Sequence, residues 1–182
     1  PHGGCGCEET INSPTTALFL MTSSYNSITG TDSANTLIGS TGADSFSAGT
    51  GEDLVLGAQA NDIVDLGAGN DSVNFSADAD GATVYGKGGN DSLGITVSFN
   101  TSSMYGGEGN DTIWISKGAS AYLAGDAGVD SIYFNDDSFN NSTIYGGGTD
   151  ATSSDGADTI HISGTISSSY AHGNGGADSI YV

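Results

Sequence analysis

Residues 67–75 have the sequence Gly-Ala-Gly-Asn-Asp-Ser-Val-Asn-Phe, a glycine-rich turn followed by an aspartate and a short apolar alternation. Variants of this stretch recur along the 182-residue chain, each with one aspartate at the same place. The first four aspartates are nine residues apart, and the later gaps are 20, 20, 19, 28 and 20 residues. The series is Asp44, Asp53, Asp62, Asp71, Asp91, Asp111, Asp130, Asp158 and Asp178. A fixed period of this kind indicates stacked, nearly identical units.

The residues after each aspartate alternate between apolar and other side chains, as in Val73 with Phe75 and Ile113 with Ile115. Such a short, strict alternation predicts a strand with one buried face. The glycines before it supply positive-φ conformations that other residues avoid. One turn and one strand take nine residues, so two of each make a coil. The predicted fold is all-β: a parallel β-roll, or β-solenoid, with about 18–20 residues per coil and stacked turns.

Successive units lie on opposite edges of this roll. Asp44 and Asp62 share the first edge, and the other seven aspartates share the second edge. After Asp71 the first edge loses its acidic turn and gains loops rich in serine and asparagine. Residues 1–27 do not fit the repeat, and residues 15–25 within them are predicted to form a cap or docking strand. Residues 28–182 form one roll with a loop insertion at 146–154.

The charge of the chain is strongly one-sided. The formal net charge is −20, and Lys87 and Lys117 are the two basic residues. This excludes nucleic acid as a partner, because binding the phosphate backbone requires Lys and Arg. The chain has no run of about 18 apolar residues, so we expect no membrane insertion. Two carboxylates stacked about 5 Å apart repel by roughly 3 kcal/mol at an effective dielectric near 20. The repeated aspartates therefore predict a bound divalent cation.

The segments 67–75, 88–95, 106–115 and 173–181 resemble the RTX calcium-binding repeat, whose consensus is Gly-Gly-x-Gly-x-Asp-x-apolar-x. The resemblance extends over about residues 28–182. It implies calcium between successive turns, held by turn carbonyls and by the nine aspartates, and a secreted protein outside the cell, the cell surface included. Six intervals on the second edge and one on the first imply about seven calcium ions. Binding is expected to be weakest where the consensus fails, at Asn35, at residues 58–60 and at Val129.

Many aromatic side chains are predicted to point outward, since the apolar partners in their strands point inward. One strand set presents Gly94, Trp114, Tyr133, His161 and Tyr181, and the opposite set presents Tyr85, Tyr105, Tyr122, Tyr145, Tyr170 and His172. Exposed aromatic ladders are common in sheets. The alternatives are a contact surface for another subunit and a glycan-stacking surface.

The chain closes on a complete strand pattern, residues 178–182. A bare strand edge templates pairing with another chain. We therefore expect self-association, in which the C-terminal coil of one copy docks on the N-terminal segment of the next. Head-to-tail contact of this kind without ring closure generates a filament.

The leading functional hypothesis is a secreted, calcium-stabilised structural protein that assembles into an extracellular filament or surface layer. The alternative is a calcium-triggered folding or secretion module of a larger adhesin, toxin or enzyme exported by a type I system. A third option is an ice- or glycan-binding roll. We expect no enzymatic activity, because His2, His161 and His172 have no neighbouring nucleophile pattern. For Cys5 and Cys7, free thiols, a disulfide to another chain and a metal site with His2 remain open.

Overall fold

The structure, a computed structural model, describes residues 26–148 and 155–182. Several sequence-based predictions lie outside the described residues: the cap or docking strand at 15–25, the state of Cys5 and Cys7, and residues 149–154 of the insertion. The described part contains sixteen β-strands and no helix. This confirms the predicted all-β fold.

The strands form two parallel sheets of eight strands each. The first sheet contains β1 (Asn26–Thr29), β3 (Asp44–Ser47), β5 (Ile63–Asp65), β7 (Thr83–Gly88), β9 (Ser103–Glu108), β11 (Tyr122–Ala127), β13 (Thr143–Gly147) and β15 (Tyr170–His172). The second contains β2 (Thr36–Ile38), β4 (Leu54–Ala58), β6 (Ser72–Phe75), β8 (Ser92–Ser98), β10 (Thr112–Lys117), β12 (Ser131–Asn140), β14 (Thr159–Ser167) and β16 (Ser179–Tyr181). Each sheet runs in sequence order, so the chain alternates between the sheets and winds as a parallel β-solenoid.

The core lies between the two sheets and consists of rows of apolar side chains in register. One row runs through Val55, Val73, Leu93 and Ile113, each directly paired with the next coil and at most 4% exposed. The predicted inward apolar pairs are buried up to Ile160 and Ile162. The last pair differs, with Ile180 42% and Val182 79% exposed, because no described strand packs beyond β15 and β16.

The first edge changes its chemistry along the solenoid. The register continues the row of Asp44 and Asp62 with five uncharged residues: Ala82, Ser102, Ala121, Ser142 and Ser169. Two of these serines accept a backbone N–H from the preceding coil: Ala121 donates to Ser142 Oγ, and Ser142 donates to Ser169 Oγ, each at 3.0 Å. Neutral hydroxyl groups therefore take over the position that aspartate holds in the early coils.

The tyrosines of the first sheet lie on its outer face, as the alternation predicts, whereas phenylalanines such as Phe46 and Phe134 are buried in the core. On the first sheet the ring centroids follow one another at 5.2 Å from Tyr85 to Tyr105, 5.4 Å to Tyr122 and 5.8 Å to Tyr145. Tyr122 comes from the neighbouring row and fills the gap above Ala124, which pairs with Tyr105. The predicted contact with a subunit or a glycan is not tested by this arrangement and stays a prediction.

No segment of the described residues forms a helix that is long and apolar enough to cross a membrane.

Candidate metal centre

The structure brings the aspartates together on two edges, as the nine-residue period predicts. Asp44 and Asp62 lie on the first edge, at the entrance to β3 and β5. The second edge carries one continuous row of acids at the entrance to its strands: Asp53, Asp71, Asp91, Asp111, Asp130, Asp158 and Asp178. Asn35 lies at the start of this row and contributes no charge.

Each carboxylate of the second edge is linked to the coil before it by one oxygen. The backbone N–H of Asp53 donates to Asp71 Oδ1 at 2.7 Å, and that of Asp71 donates to Asp91 Oδ1 at 2.8 Å. The same bond recurs along the whole row, from Asn35 N–H to Asp178 Oδ1, at 2.7–2.9 Å. We call this row the aspartate ladder. The bond fixes the orientation of every carboxylate in it.

In six of these aspartates the second carboxylate oxygen has no hydrogen-bond partner among the residues that the structure describes. The six buried, unpartnered atoms are Oδ2 of Asp53, Asp71, Asp91, Asp111, Asp130 and Asp158. A buried polar group without a partner is costly, and more so when it is charged. In the described part of the chain no protein cation relieves the ladder: Lys87 Nζ lies 3.7 Å from Asp65 Oδ2, and Lys117 is exposed. The ladder is therefore incomplete without an added positive charge.

Burial and mutual repulsion disfavour the charged form of these groups. Burial, with a smaller contribution from neighbouring carboxylates, raises the pKa of Asp111 to about 8 and that of Asp130 to about 7. Burial likewise raises the pKa of Asp71 and Asp91 to about 6. In each case the bond from a backbone N–H opposes the shift and does not cancel it. A divalent ion beside the ladder would favour the charged carboxylates and lower these pKa values.

Glycines bring the turn backbone close to the free oxygens. A Cβ at Gly86 would lie 2.3 Å from Asp91 Oδ2, and one at Gly106 would lie 2.3 Å from Asp111 Oδ2. Gly69 and Gly109 adopt φ values of 145° and 120°, which side chains avoid. The carboxylates and the turn carbonyls of adjacent coils therefore lie side by side.

This donor set fits a hard cation. Calcium takes six to eight oxygen ligands from carboxylates and backbone carbonyls. Among the described residues, no three Asp, Glu, His or Cys side chains converge on one point. A bound ion would therefore take many of its ligands from the turn carbonyls and the rest from the ladder.

The first edge offers much less to a cation. Asp44 Oδ2 accepts Ser40 N–H at 2.7 Å, and Asp62 Oδ2 accepts Gln59 N–H at 2.6 Å. Neither carboxylate has the orphaned oxygen that marks the second edge. The six orphaned oxygens equal the six intervals predicted there. The seventh ion predicted for the first edge, like the total of about seven, stays a prediction.

Sequence reasoning missed the polar side chains that support the ladder from outside. Asn70 Oδ1 accepts Asn90 N–H, and Asn90 Oδ1 accepts Asn110 N–H, both at 2.7 Å. Asn110 Oδ1 in turn accepts Val129 N–H at 2.9 Å. The signal was present in the repeated Asn-Asp pairs at 70–71, 90–91 and 110–111.

These pKa values predict an unusual pH dependence for the calcium-free chain. A folded-state pKa of about 6 to 8 lies above the value of about 4 in the unfolded chain, so protonation favours the folded state. This stabilisation is complete below the unfolded pKa and is lost as the pH rises through the folded values. In metal-stripped buffer we expect far-UV circular dichroism to show more β structure at about pH 5 than at about pH 9.

The calcium-loaded protein provides the control for that titration. Protons and calcium compete for the same carboxylates, so acidification should weaken the loaded form. A calcium-free chain that lost β structure on acidification would contradict the assignment of these groups.

Comparison with known families supports the same chemistry. The family model of the RTX calcium-binding nonapeptide repeat matches four copies, at residues 29–64, 38–73, 47–82 and 102–119. Among curated proteins and solved structures, none matches this chain significantly.

Proposed function

The chain carries RTX calcium-binding repeats, and from this premise we propose that it is a secreted structural protein whose solenoid is held together by calcium. The observation that carries the proposal is the row of six buried carboxylate oxygens without a partner. Nothing in the described residues neutralises them. We propose that external calcium does so.

The ladder residues Asp53 to Asp178 and the glycine turns between them would hold the ions. Calcium supplies positive charge between coils that would otherwise repel one another. The chain supplies the orientation, since each Oδ1 is fixed by a backbone N–H. In five of these residues Oδ2 also lies close to a turn glycine: Asp91, Asp111, Asp130, Asp158 and Asp178. Extracellular calcium modules commonly work with dissociation constants of about 10⁻⁴–10⁻³ M. A site of this strength is filled outside the cell and empty in a low-calcium interior, which fits a chain that folds after export.

The finer proposal is self-assembly through the ends of the solenoid. The last coil presents Tyr181 at 56% exposure together with Ile180 and Val182, and the outer edges of β15 and β16 are unpaired among the described residues. At the opposite end the ladder begins with the uncharged Asn35. A second copy docking there would place an amide, and not another carboxylate, beside Asp178. Two coil ends can therefore meet without adding to the repulsion along the ladder.

Replacing Ile180 by Asp tests this assembly. We expect the wild-type protein to form long particles in millimolar calcium and Ile180→Asp to remain monomeric, because a charge in the docking face is costly to bury. Sedimentation velocity and electron microscopy measure the result. Ile63→Asp is the matched control, since Ile63 is 40% exposed against 42% for Ile180 but lies on the side of the first sheet.

The outcome separates the two leading functions. Assembly by the wild type and by Ile63→Asp, with none by Ile180→Asp, supports the filament. A wild-type protein that binds calcium and stays monomeric at high concentration contradicts the filament and favours the alternative, a calcium-folded module of a larger exported protein.

A further inference from the structure

The turn beside the insertion contains a carboxylate that the fold does not explain. Asp126 has a φ of 71°, in the left-handed region, and it pairs with Gly107 in the coil before and Gly147 in the coil after. Other residues at this strained position have a use for their side chains. Lys87 Nζ lies 5.2 Å from the centroid of the Tyr85 ring, and Asn174 Nδ2 donates a hydrogen bond to Gly147 O at 3.1 Å. The half-buried Asp126 carboxylate has no hydrogen bond or salt bridge within the described residues.

A second additional carboxylate approaches the same place from the following coil. A Cβ on Gly147 would lie 1.8 Å from Asp155 Oδ2, so the two groups are in contact. The Gly175 N–H donates to this Oδ2 at 2.9 Å. In a regular coil the equivalent N–H, that of Gly88, donates to the carbonyl of Gly67 at 3.0 Å. Where the insertion interrupts the turn, the Asp155 side chain thus replaces a backbone carbonyl.

Two orphaned oxygens of the aspartate ladder point at this same pair of turns. A Cβ at Gly125 would lie 2.4 Å from Asp130 Oδ2, and a Cβ at Gly146 would lie 2.7 Å from Asp158 Oδ2. Asp130 and Asp158 are each 1% exposed, and neither Oδ2 has a hydrogen-bond partner among the described residues. Gly125 and Gly146 immediately precede Asp126 and Gly147. Asp126 and Asp155 therefore add two carboxylates to the turns that Asp130 and Asp158 face, with no Lys or Arg side chain in contact with any of the four among the described residues.

We propose that the interval between the coils of Asp130 and Asp158 is the tightest divalent-cation site of this protein, because Asp126 and Asp155 add their charge to that of the ladder. This inference rests on the proposed calcium function, and it adds that this site is the first to fill when calcium is titrated. Affinity for calcium rises with the number of charged ligands. The strained φ of Asp126 is consistent with a side chain retained for a ligand. The proposal is opposite to the prediction from the sequence that calcium binding is weak at Val129.

The experiment compares Asp126→Gly, Asp126→Asn and Asp155→Asn in the full chain. Glu108→Gln is the control, since Glu108 is an exposed acid on the same edge and its loss removes one negative charge. Calcium is titrated into metal-stripped protein in competition with a chelating dye, and the first binding step is fitted. We expect the Asp126 and Asp155 variants to weaken that step by about tenfold, and Glu108→Gln by less than about twofold.

The Asp126→Gly variant shows whether Asp126 contributes to calcium binding or only to the conformation of the turn. Glycine adopts the φ of this position without strain, as Gly107 does in the preceding coil. If Asp126 serves only the turn, Asp126→Gly binds calcium as well as the wild type or better, and the proposal is overturned. If Asp126 serves the ion, the variant binds its first calcium more weakly although its backbone is relaxed. Circular dichroism in saturating calcium shows whether each variant reaches the wild-type fold.

Two other outcomes show whether the proposed calcium function fails or only the inference about this site. A wild-type protein that binds no calcium refutes the proposed function itself. A wild-type protein that binds calcium, with all variants within about twofold of Glu108→Gln, refutes only the additional site.

Discussion

Removal of calcium with EGTA at neutral pH should convert this protein from a compact rod into an expanded chain. The expected radius of gyration rises from about 16 Å, the value for a folded chain of this length, to about 45 Å for the unfolded one. The reason is the aspartate ladder: six buried carboxylate oxygens have no partner within residues 26–148 and 155–182, and their neighbours in adjacent coils carry the same charge. Small-angle X-ray scattering with far-UV circular dichroism measures the change.

Restoring an excess of calcium is the control for that experiment, since it should return the compact form. Magnesium at the same concentration provides a second comparison. It demands octahedral geometry and retains its waters, so we expect it to restore much less β structure. A protein that kept its compact shape through exhaustive chelation would contradict the role assigned to the ladder.

The second large effect is expected from adding a single methyl group, in Gly106→Ala. Gly106 does not have a positive φ, so alanine is tolerated by the backbone itself. The new Cβ would instead lie 2.3 Å from Asp111 Oδ2 and 2.5 Å from the carbonyl oxygen of Gly125. Either the coils separate or the carboxylate leaves its place. We expect a loss of about 3 kcal/mol in the free energy of unfolding, as for an overpacked core, together with weaker calcium binding.

Gly88→Ala is the matched control for that substitution. It lies in the adjacent turn, and a Cβ there meets nothing within 4 Å. We expect its thermal midpoint in calcium to stay near that of the wild type, since a substitution whose new atom meets no neighbour usually changes stability by less than about 0.5 kcal/mol. Equal midpoints for the two variants would show that the close approach at Gly106 has no energetic importance.

The architecture could be predicted from the repeat. Apolar residues alternate with a period of two within each strand, and the unit of turn and strand has a period of nine residues, so few other folds are compatible with the sequence. Val73, Leu93 and Ile113 are apolar at the same place in each unit, and the structure stacks them in one buried row. The division of the aspartates between two edges followed from the same count. These features depend only on the spacing of residues within and between neighbouring units. That spacing can be read from the sequence.

The features that were not predicted depend on which residues face each other across coils. Ser142 and Ser169 replace an aspartate on the first edge, but serine is common in this chain and only the register reveals their equivalence. Asp155 joins the turn of Gly147 across an insertion, which the repeat cannot align. Asp126 occupies a position that the consensus gives to glycine, and its backbone angle is visible only in the folded chain.

The strict alternation of strands between the two sheets also has a mechanical consequence. Within the described residues, the strands of each inner coil pair only with those of the coil before and the coil after it. A force pulling on the ends of the rod would therefore peel coils away one after another. Each detached coil of about 20 residues would lengthen the chain by about 65–70 Å before the next coil bears the load. In such a protein, the surrounding calcium concentration would set the force needed to detach each coil.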